Sequence, residues 1–129
     1  MKNSHGFTVI ELLVIITLVG IVGGVAFDLR GSLNSMHRDR DRKVAINAMH
    51  HNLQEVAKPS LGGYPRVLSA RNLPAMNPNL LKDPRGVMVG KTESDYRYEP
   101  TGCNGGDICS GYVLRADLEL EVDFVKSSL

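Results

Sequence analysis

The sequence predicts an α+β chain: one long N-terminal α-helix, hydrophobic in its first half and amphipathic in its second, with the second half packed on a small antiparallel β-sheet. Three observations carry this. Residues 7–27, FTVIELLVIITLVGIVGGVAF, form an apolar run whose only ionisable side chain is Glu11. Residues 29–57 contain no proline, and Ile46, Met49, Leu53 and Val56 recur there at steps of three and four. Residues 112–124, YVLRADLELEVDF, alternate apolar and charged side chains.

As a helix, residues 7–27 would be about 31 Å long, the thickness of a bilayer's hydrocarbon core. A transmembrane anchor, a cleaved secretory signal and a buried core helix all compete for such a segment. The core helix is the weakest reading, because a chain of 129 residues leaves too little to surround a helix that is apolar on every side. A secretory signal would use Lys2 as its positive region and the small residues at Gly24 and Ala26 for cleavage, but the run is long for a signal and carries a carboxylate.

Beyond the run, the stripe of Ile46, Met49, Leu53 and Val56 makes one narrow apolar helix face. Lys58-Pro59-Ser60 and Gly62-Gly63 are expected to stop the helix. A continuous helix over 7–57 would measure about 76 Å. Its two different halves imply two different neighbours.

GFTVIELL, residues 6–13, resembles the class III signal of type IV pilins and pseudopilins: a short charged leader ending in Gly, then Phe, then Glu four residues after that Phe. The resemblance implies cleavage between Gly6 and Phe7 by a prepilin peptidase, methylation of the new Phe7 amine, and an assembly role for Glu11. It also implies a division into a leader (1–6), a membrane and filament-core helix segment (7–27), its amphipathic continuation (28–57) and a globular head (58–129). The function implied is that of a filament subunit, a pilin, minor pilin or pseudopilin, assembled with copies of itself and other pilin-like subunits on an inner-membrane platform.

The physics of the bilayer fits this. A carboxylate in hydrocarbon costs up to about 3 kcal/mol at mid-helix and less near an end, so it wants a partner. Cleavage before Phe7 would create one, the α-amine of a neighbouring subunit. Such a pair adds little net stability, but a wrong register would leave both charges unpaired, so it can set the stagger of the stack.

Lys2 alone precedes the run, whereas Arg30, Arg38, Arg40, Arg42 and Lys43 follow it. A positive-inside count would therefore put the N-terminus outside. The resemblance implies the reverse: a single-pass protein with a cytoplasmic N-terminus before processing and an extracytoplasmic head. Gly20 and Gly24, with Gly23 beside them, form a GxxxG spacing that lets membrane helices approach closely.

RDRDRK, residues 38–43, reads as a solvated helix laced by pairs such as Asp39 with Lys43 and Arg38 with Asp41. DNA is a conceivable partner that the sequence does not support, because the aspartates cut the charge and no aromatic is interleaved for stacking. His50 and His51 read as surface histidines. The whole chain carries 15 Lys and Arg against 14 Asp and Glu, which gives no argument for a polyanionic partner.

Residues 62–90, with four prolines, predict an ordered connecting loop, and LLKDPRG within it resembles the Asp-Pro-x-Gly turn that introduces the sheet in pseudopilins. Residues 112–124 predict one half-buried strand, with DYRYE (95–99) as its hairpin partner. Cys103 and Cys109 lack CxxC spacing and metal-ligand companions, which favours one disulfide in an oxidising compartment. Closing that loop would contribute about 2 kcal/mol.

Asp117, Glu119, Glu121 and Asp123, with Asp107, raise a calcium site. Alternate strand residues lie about 6.6 Å apart, too far for several to share one ion, so a solvated outer face is expected and no metal or cofactor. No Ser/His/Asp, Cys/His or metal constellation supports catalysis. The alternative to a filament subunit is a membrane-anchored or secreted binding module, an adhesin or a DNA-uptake receptor.

Overall fold

The computed structural model describes residues 6–128, so the leader reading of residues 1–5 lies outside the described residues. The chain divides into two compact units, Met1–Ser35 and Met36–Leu129. The fold is α+β and pilin-like: a helical stretch Val9–Leu61 of 53 residues followed by small antiparallel sheets.

In the first unit, helix α1 (Val9–Asn52) begins, and the apolar side chains from Val9 to Leu29 are all exposed. None of the most apolar stretch is buried, which removes the core-helix reading. By length and composition this stretch could cross a membrane.

In the second unit, Ile46, Met49 and Leu53 of the helix are completely buried. A π-helical turn, Leu53–Ala57, follows α1, and its wider turn brings Ala57, rather than the expected Val56, into the core. The helix runs on past residue 57 and through Pro59. Pro59 is tolerated in the first turn of α2 (Lys58–Leu61), where a missing N–H does little harm. Of the residues expected to stop it, Gly62 does so, at φ 72°, with its N–H donating to the Lys58 carbonyl at 3.0 Å.

The strands are β1 (Tyr64–Pro65), β2 (Tyr96–Thr101), β3 (Ile108–Cys109), β4 (Gly111–Ala116) and β5 (Phe124–Ser127). β2 and β4 form the expected hairpin, in register from Tyr96 opposite Ala116 to Thr101 opposite Gly111. β1 and β3 form a separate two-stranded pair that periodicity did not announce. Gly63 permits it, since a Cβ there would lie 2.7 Å from the Cys109 carbonyl oxygen.

The expected single strand over 112–124 is corrected. β4 ends at Ala116, residues 117–123 cross as a loop, and β5 returns antiparallel with Phe124 opposite Ala116. The sheet order is β2-β4-β5. The alternating pattern suits either arrangement, and folding back gives β4 a hydrogen-bonding partner on each side.

Asp83 organises the entry to the sheet. Its carboxylate accepts the N–H groups of Arg85 (2.9 Å), Val87 (2.8 Å) and Asp95 (3.0 Å), the last just before β2. Burial pushes its pKa up, and the three N–H groups more than offset that, leaving it below the usual carboxylate range.

His50 is not the surface residue expected: it is half-buried, and its Nδ1 lies 2.7 Å from the Tyr112 hydroxyl. Gln54 Oε1 accepts from Tyr64, so its Nε2 faces the Tyr112 oxygen and leaves the Tyr112 proton for His50. With that proton on the hydroxyl, Nδ1 accepts as a neutral imidazole. Burial lowers the His50 pKa, with Lys126 and His51 adding repulsion. Because the folded pKa lies below the unfolded value near 6.5, stability is full above about pH 6.5 and falls as pH drops through 6.5 toward the folded pKa. Melting curves from pH 7.5 to 5 should show this slope, and His50→Gln should flatten it. An unchanged slope in His50→Gln would assign it elsewhere.

Candidate functional site

The N-terminal motif is built around the first helical turn. Gly6, Phe7 and Thr8 are non-helical and exposed, and the helix starts at Val9. Thr8 caps it: its Oγ1 accepts the Glu11 N–H at 3.3 Å and its carbonyl accepts the Leu12 N–H at 3.1 Å. Thr8 and Glu11 thus stand at the two ends of a T-x-x-E capping spacing, a signal present in the sequence that the carboxylate's other reading obscured. Glu11 is exposed in the first turn, where an acidic group also suits the positive end of the helix dipole.

Gly20, Gly23 and Gly24 lie further along the same helix. A Cβ at any of the three would meet nothing within 4 Å, so this chain's own packing does not demand glycine there. Leu18, Val19, Val22 and Gly23 line a shallow depression of about 360 Å³ on this surface without any polar side chain. Cys103 and Cys109 belong to the second unit, where a disulfide joins them across the loop between β2 and β3.

The second unit carries a cluster that local spacing did not foretell. The neck of RDRDRK, expected to be solvated, buries Asp39 and Arg42 to 3% and 4% exposure. The Arg42 guanidinium reaches Asp39 (2.7 Å), Asp95 (2.8 Å) and Glu119 (2.8 Å). Asp39 in turn accepts the backbone N–H groups of Glu119 (2.8 Å) and Leu120 (2.9 Å). Arg38 makes a two-pronged bond to Glu119, and Lys43 reaches Glu121 at 2.7 Å. The acidic row is therefore not a solvated strand face: Glu119 and Glu121 turn back to the helix, while Asp117 meets Arg97 at 2.8 Å.

Burial raises the Asp39 pKa, but the two N–H groups and Arg42 more than reverse this and hold it below the usual range. Burial works against the Arg42 charge, and its bonds to Glu119, Asp95 and Asp39 overcome it, so the guanidinium stays charged. Among the described residues, no group of three or more His, Cys, Asp or Glu could hold a metal ion.

Residues 1–27 match the family model described as the prokaryotic N-terminal methylation motif. A long N-terminal helix and a disulfide-bonded small sheet accompany that match. These features fit a type IV pilin-like protein. This chain is 50% identical over 34 residues to a protein of Chlamydia pneumoniae named "Putative outer membrane protein", covering 26% of this chain and 28% of that one. A second protein of the same name, from Chlamydia trachomatis serovar D, is 52% identical over 33 residues, covering 25% and 27%. The aligned region thus spans little more than a quarter of either relative. No solved structure matches this chain. Proteins with this motif are structural rather than catalytic.

Proposed function

We propose that this chain is made as a precursor, cleaved between Gly6 and Phe7 by a prepilin peptidase, methylated on the Phe7 amine, and assembled as a pilin, minor pilin or pseudopilin subunit of a type IV pilus-like filament. The observation that carries the reading is Glu11: a carboxylate in the first turn of a helix whose apolar side chains are all exposed, four residues after Phe7. In lipid or a helical stack it needs a cation, and the new amine of a neighbour supplies one.

In this reading residues 7–27 anchor the subunit as a single pass and then form the filament core, with Gly20, Gly23 and Gly24 making room for a neighbour's helix. Residues 28–57 continue the helix and residues 58–129 form the extracytoplasmic head. An inner-membrane platform is the assembly partner. The protein is not an enzyme, and DNA is not a favoured partner, since Arg38, Arg42 and Lys43 of the neck are engaged by the chain's own carboxylates.

N-terminal sequencing and intact mass of the mature protein test this. The expected chain starts at Phe7 and carries a methylated amine. A start at Phe27 would make it a secreted binding module and remove the filament reading.

A further inference from the structure

Within residues 117–123, Leu118 packs against the core while Leu120 and Val122 are exposed. Glu119 and Glu121 are drawn to Arg38, Arg42 and Lys43, and Asp39 grips the N–H of Leu120. Beside these anchored residues Val122 is 89% exposed and Leu120 is exposed as well. An apolar knob fixed in place by an ionic network loses little freedom on docking.

The same unit carries a groove of about 300 Å³ where the helix ends, lined by Leu61, Pro65, Val67 and Ile108, with Val67 70% exposed. Arg66 and Asp107 complete its polar lining together with Asn72. Lys58 is exposed one turn before Leu61, and Arg71 is exposed next to Asn72. Arg66 in the lining, with Lys58 one helical turn from Leu61, outweighs Asp107 at this groove, whereas Asp123 follows Val122 on the knob and Glu121 is already paired with Lys43. A second groove, of about 240 Å³ at Val44, Leu80 and Pro84, carries Asp41 and Asp83 against Lys82 and would repel an acidic knob.

We propose that the knob of one copy, through Leu120 and Val122, docks into the Leu61–Val67–Ile108 groove of a second copy. Within one copy the two surfaces are separated by the helix from the 38–43 neck to Leu61, about 30 Å, so they cannot meet. Joining different patches makes a heterologous contact that propagates from copy to copy. The inference rests on the filament reading and names its head-to-head contact.

The test uses the full chain with its own assembly machinery. Val122→Asp should leave the melting temperature unchanged and lower pelletable polymer at least about tenfold, the effect of losing a central apolar anchor. Asp123→Arg and Arg66→Asp should each lower polymer, and together restore it, a rescue that misfolding cannot imitate. Val122→Cys combined with Val67→Cys should give a ladder of cross-linked multimers under mild oxidation, absent from either single variant. Wild-type polymer from Val122→Asp, failed charge rescue, or polymer without a ladder would overturn the contact and leave the filament reading standing. Dimers from Val122→Cys alone, or a cross-link to a different protein, would overturn the choice of groove or of partner. Absence of polymer from the unsubstituted chain would overturn the filament reading and this contact with it.

Discussion

Arg42→Ala lowers the stability of the head by about 3–5 kcal/mol, the range for removing one member of a buried ion pair. The reason is less the loss of attraction than what remains. Asp39, Asp95 and Glu119 converge on the vacated position, and Asp39 is nearly inaccessible to water. In a domain of this size the loss is on the order of 15–30 °C in melting temperature. Arg42→Lys keeps the charge but cannot fork to three carboxylates, so it should fall between alanine and wild type. Arg38→Ala should matter much less, because that pair is open to water, which screens it. Thermal unfolding of the detergent-solubilised chain measures all three. Equal melting of Arg42→Ala and wild type would mean that the cluster adds nothing beyond what packing supplies.

Glu11→Val should abolish filament assembly while sparing membrane insertion and processing. Replacing an anionic group by an apolar one makes insertion easier, by up to about 3 kcal/mol at mid-helix and less at this end position. The Thr8 cap, whose bond to residue 11 uses the backbone N–H, survives the change. What is lost is the counterion for a neighbour's Phe7 amine, which would be left unpaired among apolar helices. The readout is mature-length protein in the membrane fraction together with sheared surface filaments. Wild-type filament yield from Glu11→Val would show that the carboxylate does not set the stack.

Legibility followed the range of the interactions. The exposed apolar helix, the face of Ile46, Met49 and Leu53, and the β2–β4 hairpin could all be read because each depends on a period within its own segment. The Thr8 cap was equally local. His50 was misread because two adjacent histidines on a helix say nothing of a tyrosine 62 residues away.

By itself the sequence determined the long helix, its division into an apolar and an amphipathic half, the Gly6-Phe7-Glu11 motif and the α+β class, since hydrophobic period and segment length suffice for these. Only the tertiary structure decided the fate of the charges. Arg38 meets Glu119 across 81 residues, and Arg42 meets Asp95 across 53. Residues 117–123 satisfy a strand pattern and a loop pattern equally well. The choice fell to the loop, in which Asp39 accepts two of its N–H groups and the neck cations hold its carboxylates, and that choice turned Leu120 and Val122 outward.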